Sequence, residues 1–171
     1  MKKFQNHILF VILHHFIGRR YVRRLTRTGK VFRHVHKIQR HQHSKMKKVI
    51  FLGLGYIGLP TAAIAAHHGY DVVGVDVNPS VVETINRGEI HIVEPELDKV
   101  VKESVQNGHL RAVSKPEAAD AFFIVVPTPF KQNHRADTTY VESATRSVIP
   151  FLKEGDLFVI ESTSPVFTTE R

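Results

Sequence analysis

Val49-Ile50-Phe51-Leu52-Gly53-Leu54-Gly55-Tyr56-Ile57-Gly58 decides the fold of this 171-residue chain. Its first four residues form a short, continuous apolar run, which suits a strand buried on both faces of a parallel sheet. They lead without interruption into three glycines spaced G-x-G-x-x-G. Leu59 to His68 is rich in Ala, Leu and Ile and reads as a packed helix, with Gly69 as its stop. Val72-Val73-Gly74-Val75 reads as a second buried strand, and it ends in Asp76, 18 residues after Gly58.

Each part has a physical task. Gly53 permits a tight turn, Gly55 admits a pyrophosphate close to the backbone, and Gly58 lets helix and strand pack closely. The helix N-terminus offers free N–H groups and partial positive charge to phosphates, with the amides of Tyr56 and Ile57 as the natural donors. Asp76 is placed to accept hydrogen bonds from the adenosine ribose and to repel a 2′-phosphate, which favours NAD over NADP. Glycines at this spacing also occur in purely structural turns. Here strand, glycines, helix, strand and terminal acid fall within one unit of about thirty residues, the context a dinucleotide site requires. For Asp76 alone, the competing reading is a strand-end cap for the next helix.

Working outward, the alternation continues. Asn78-Pro79 opens a helix that Gly88 ends, and a further helix is expected from Pro95 to Asn107, closed by Gly108. Leu110–Val113 is a candidate third strand, and Ser114-x-x-Glu117 has the form of a capping box leading into a short helix. Ala121 to Val126 is the clearest buried strand, stopped by Pro127-Thr128-Pro129. Thr139 to Leu152 reads as an amphipathic helix and Leu157–Ile160 as a fifth strand. The fold class is therefore α/β, a Rossmann-like doubly wound parallel sheet over residues 46–171. Ligands of such sheets sit beyond the carboxyl ends of the strands. Those ends carry the glycine loop, Asp76, Thr128 and Glu161. Thr128 is a candidate for the nicotinamide ribose or a turn-stabilising hydroxyl. Glu161 is a candidate base or water-holder, or else a solvated strand-end acid.

Residues 1–45 differ in kind. They hold 12 of the 24 Lys and Arg and no Asp or Glu, whereas 46–171 hold all 16 acids and a net charge of −4. The two parts meet at Met46, the only methionine after Met1. The basic segment is expected to be an extension outside the fold, disordered or helical. A positive start followed by Ile8–Leu13 resembles a secretory signal, but His14-His15 interrupts the apolar stretch and Arg19-Arg20 follows where a small-residue cleavage site would stand. The expected location is cytoplasmic. No apolar run reaches the roughly 18 residues of a membrane span. The pairs His34/His36 and His41/His43 lack acids or cysteines beside them, and no metal site is expected. The chain has no cysteine, which excludes a disulfide scaffold and a cysteine nucleophile of its own.

Six runs together, Phe51–Ala63, Gly74–Asn78, Ile85–Pro95, Val126–Phe130, Thr139–Ser143 and Glu161–Val166, resemble the UDP-glucose/GDP-mannose dehydrogenase family. The likeness covers 46–171 and leaves 1–45 out. It implies an NAD-dependent, four-electron oxidation at C6 of a nucleotide sugar, through an aldehyde and a cysteine-bound thioester, in a homo-oligomeric enzyme. It implies UDP-N-acetyl-D-mannosamine as the substrate, used for surface polysaccharide synthesis. The family's cofactor positions fall on Tyr56, Ile57, Asp76, Thr128 and Thr169, and Glu161 matches the acid near the thioester-hydrolysing water. Two departures stand out: the family's catalytic Cys and Lys are not reached by Arg171, and Phe167 takes a place usually held by glycine. The expectation is thus the NAD-binding front part of a longer dehydrogenase, inactive alone. An orphan NAD- or partner-binding module without catalysis is the alternative. A third reading, nucleic-acid or membrane tethering through residues 1–45, is weaker, and no specific nucleic-acid partner is expected.

Overall fold

The structure, a computed structural model, describes residues 48–131 and 136–170. The expected state of the basic extension therefore lies outside the described residues. Five strands form one sheet: β1 (Lys48–Leu52), β2 (Asp71–Val75), β3 (Leu110–Val113), β4 (Ala121–Ile124) and β5 (Leu157–Ile160). Their order across the sheet is β3-β2-β1-β4-β5 and every pairing is parallel. The chain winds one way from β1 to β3, then returns past β1 to lay down β4 and β5. The change of direction lies between β1 and β4, which opens a crevice at their carboxyl ends.

The helices follow the apolar patterning. α1 (Gly58–His67) packs on β2 and on α3 (Leu97–Gln106), while α2 (Pro79–Asn86) covers β3. α4 (Thr139–Val148) lies against β4 and passes into a short 3₁₀ turn at Ile149–Phe151. Pro150 accounts for that early end, because it removes an amide the α-helix would use. On one face of the sheet Ile50, Val73, Phe122 and Ile124 pack with Val141 and Val148 of α4. Phe51 and Phe123, register neighbours on β1 and β4, stack with ring centroids 4.8 Å apart. Strands β1 and β4 are thus buried almost throughout, as their unbroken apolar runs require.

The caps agree with the sequence signals in most places. Asn78 accepts a hydrogen bond from Ser80 N with Pro79 in the first turn of α2. Gly88 and Gly108 follow α2 and α3 at φ +75° and +73°. One expectation fails. No helix follows Ser114, where the chain runs irregularly to β4. Pro116 sits inside the supposed first turn, and Glu117 is engaged elsewhere: its carboxylate binds Lys48 and Arg111. A capping glutamate that has two cations to pair with has no reason to reach back to a backbone amide.

Candidate functional site

The three loop glycines are set by contact. Gly53 has φ +96°, and a Cβ there would lie 2.3 Å from Val125 O. A Cβ on Gly58 would lie 1.8 Å from Gly53 O, so α1 crosses β1 at a distance only glycine permits. Gly55 is the opposite case. A Cβ there would meet nothing within 4 Å, so its missing side chain leaves the loop's outer face open to a ligand. The loop is tied at both ends, by Gly53 N to Val75 O at 2.8 Å and by Leu59 N to Gly55 O at 3.1 Å. Among the described residues the amides of Tyr56 and Ile57 carry no hydrogen bond. The first turn of α1 contains no acid and has no side-chain cap. An anion is what such an end lacks.

Asp76 closes the loop from the side. Its Oδ2 accepts the amide of Leu54 at 3.0 Å, and its Oδ1 accepts that of Asn78 at 2.9 Å. The carboxylate is therefore fixed between the glycine loop and the start of α2, half-buried, with lone pairs left for two more donors. Asp76 supports the start of α2 through the amide of Asn78, which is itself the N-cap, and stands beside the glycine loop.

Across the crevice, β4 and β5 end together. The amides of Glu161 and Ser162 both donate to Ile124 O, at 3.0 and 3.2 Å. Ser162 Oγ accepts the amide of Val126 at 2.9 Å and lies 2.8 Å from Val126 O. This places Pro127-Thr128-Pro129 directly beside the end of β5. Thr128 is half-buried, and among the described residues its hydroxyl has no hydrogen-bond partner. The Glu161 side chain keeps an open outer surface, yet the protein crowded around its carboxyl strips away water and raises its pKa above the usual 4.5.

Thr169 belongs to a 3₁₀ turn, Thr168–Glu170, and is exposed. The turn is entered through Phe167 at φ +69°, a left-handed conformation that suits glycine and strains a residue with a Cβ. Continuous contacts thus connect Asp76, Leu54, Gly53 and Val125 to Ser162 and Glu161. No such contact joins Thr169 to the rest among the described residues. Ser162 is the residue that sequence reasoning passed over. The polar run Glu161-Ser162-Thr163 marked a strand end but not which member bonds across it.

A family model for the NAD-binding domain of the UDP-glucose/GDP-mannose dehydrogenases matches residues 47–171. The chain belongs to that family. A UDP-N-acetyl-D-mannosamine dehydrogenase from Yersinia pestis is 64% identical over 120 residues, covering 70% of this chain and 29% of that protein. An NDP-N-acetyl-D-galactosaminuronic acid dehydrogenase from Ralstonia nicotianae is 54% identical over 125 residues, covering 73% and 30%. Among solved structures, a UDP-N-acetyl-mannosamine dehydrogenase from Staphylococcus aureus superposes with a TM-score of 0.71 at 41% identity, covering 72% of this chain and 31% of that one. The chain therefore spans about three tenths of the length of these dehydrogenases. Within them it corresponds to the NAD-binding part, and NAD is its cofactor. Among the described residues no helix is long and apolar enough to cross a membrane.

Proposed function

We propose that residues 46–171 hold NAD at the carboxyl edge of the sheet, as the cofactor domain of an enzyme that oxidises C6 of UDP-N-acetyl-D-mannosamine. The observation that carries the site is the Asp76 carboxylate clasped to Leu54 N at the rim of an open glycine loop. The pyrophosphate is taken by the amides of Tyr56 and Ile57, with Gly53, Gly55 and Gly58 giving it room. Asp76 receives the adenosine ribose, and its charge opposes a 2′-phosphate. Thr128 and Thr169 serve the nicotinamide half. When bound, NAD supplies the hydride acceptor.

Glu161 completes the set. A carboxyl with a raised pKa gives up its proton less readily and can hold or deprotonate a water at the strand end. The residues present do not suffice for the whole reaction, since 171 residues without a cysteine form no thioester. The likeness to the Yersinia pestis protein supports the sugar named here. In this reading the enzyme is cytoplasmic and homo-oligomeric, and residues 1–45 take no part in the domain.

The test is calorimetric titration of the chain with NAD and NADP. NAD binds more tightly, and Asp76→Ala weakens it by about 1–3 kcal/mol, the range for hydrogen bonds to a charged group. Equal or reversed preference defeats the assignment. A chain starting at Met46 binds NAD as the longer one does, and neither forms NADH from UDP-N-acetyl-D-mannosamine unassisted.

A further inference from the structure

We propose that Ser162 is a positioning residue, a latch whose hydroxyl sets the spacing between the Thr128 segment and Glu161. The parallel ladder between β4 and β5 ends at the pair Ile124 and Ile160. Beyond it β4 does not continue: Pro127 has no amide to give on the β1 side, and a proline disfavours helical backbone in the residue before it. Val126 N is the last donor before that break, and it points to Ser162 Oγ at 2.9 Å.

A hydroxyl has one proton and two lone pairs. Having accepted from Val126 N, Ser162 has its proton to donate, either to Val126 O at 2.8 Å or to Ile124 O at 3.3 Å. With the nearer acceptor, one side chain binds both backbone groups of Val126 and stands where the next β4–β5 backbone rung would otherwise be. Glu161 is the residue before the latch, and Thr128 stands two residues beyond its partner. The glycine-loop side has its own anchor, because Val125 N donates to Leu52 O at 2.8 Å. Loss of the latch should therefore disturb the nicotinamide side of the crevice and spare the adenine side.

This inference rests on the NAD reading, and the experiment keeps the two separable. The 171-residue chain and its Ser162→Ala and Ser162→Thr variants are titrated with NAD and with ADP, which lacks the nicotinamide half. Ser162→Ala is expected to weaken NAD about tenfold and ADP less than about twofold, the scale of one well-made hydrogen bond. Ser162→Thr, which keeps the hydroxyl, restores NAD to within about threefold. Ser162→Cys, a weaker donor and acceptor, falls between and supplies the same comparison if the alanine chain does not fold. The Thr128 signals in ligand-free NMR spectra read the latch directly, moving in Ser162→Ala and returning in Ser162→Thr. Unchanged NAD affinity with unmoved Thr128 signals overturns the proposal. An equal loss of NAD and ADP also overturns it, as a general loss of structure. A wild-type chain that binds neither nucleotide defeats the NAD reading, while the Thr128 signals still decide the latch.

Discussion

The two ends of the sheet are built on opposite terms. At the amino ends, charge is matched to charge. Glu117 bridges Lys48 of β1 and Arg111 of β3. Asp120 accepts Lys48 N at 3.0 Å, and its backbone N and O bond Lys48 O and Leu157 N, so one residue ties together the starts of β1, β4 and β5. At the carboxyl ends, Asp76 binds two backbone amides rather than a cation, the amides of Tyr56 and Ile57 have no partner among the described residues, and a serine does the tying. The difference teaches where the fold is secured and where it is left ready. Ion pairs hold one end, and the other end is the one with donors and acceptors to spare.

The severest way to break this division is at the glycine crossing. Gly58→Ala drives a Cβ into Gly53 O, a backbone atom that cannot swing aside. A loss of about 3 kcal/mol is expected, or on the order of 10 °C in a thermal melt, with NAD affinity lost alongside. An undisturbed melt would show that α1 can lift off β1.

At the secured end, Glu117→Gln should cost stability and leave NAD affinity unchanged. The Lys48 hydrogen bond, opposed by partial desolvation and aided by Arg111, holds the Glu117 pKa below 4.5. A depressed carboxyl stabilises the fold above its unfolded pKa and loses that contribution as pH falls through the folded value. The deficit of the variant, about 1 kcal/mol after allowing for solvent screening, is therefore full at pH 7 and shrinks as pH falls from 4.5 through the lower folded value. Melts from pH 3 to 7 check it, and a deficit that persists in acid assigns Glu117 a packing role instead.

Phe167→Gly should change stability in the other direction. Relief of the left-handed strain at φ +69° outweighs the added freedom of glycine in the unfolded chain, for a gain of about 0.5–1 kcal/mol. A lower melting temperature would mean that the exposed ring contributes packing that outweighs its backbone cost.

The smallest effect belongs to Glu161, and its sign is opposite to that of Glu117. Burial raises its pKa, so the fold favours the protonated form and is more stable below the unfolded pKa, losing that advantage as pH rises through the folded value. Glu161→Gln should raise the melting temperature at pH 7 by about a degree and make no difference in strong acid. A fall at pH 7 would mean that the charged form is the one the strand end holds.

Much of this was readable in advance because its causes are local. The apolar runs, the Asn78-Pro79 opening and the glycine stops each act within a few residues, and the strands they delimit lie where the pattern placed them. The Ser114 capping box failed because Glu117 answers to Lys48, 69 positions earlier in the chain, and a capping pattern contains no word of that partner. Gly74 was legible only as a strand residue. Its use is spatial: a Cβ there would lie 2.6 Å from Leu54 Cδ2, so it makes room for the buried side chain behind the glycine loop. Ser162 was hidden for the same reason, since its partner Val126 is 36 residues away.

Strand β5 has a practical consequence. All four of its apolar residues are only half-buried, and it stands at the end of the strand order. Its outer edge presents a row of amides and carbonyls with no neighbour among the described residues. Edges of this kind template the addition of strands from other molecules, and natural proteins blunt them with lysine, proline or a covering segment. Leu157-Phe158-Val159-Ile160 contains no such blunting residue. A concentrated stock of this chain will therefore tend to cloud on standing, and a lysine in place of Val159 is where a more durable preparation would begin.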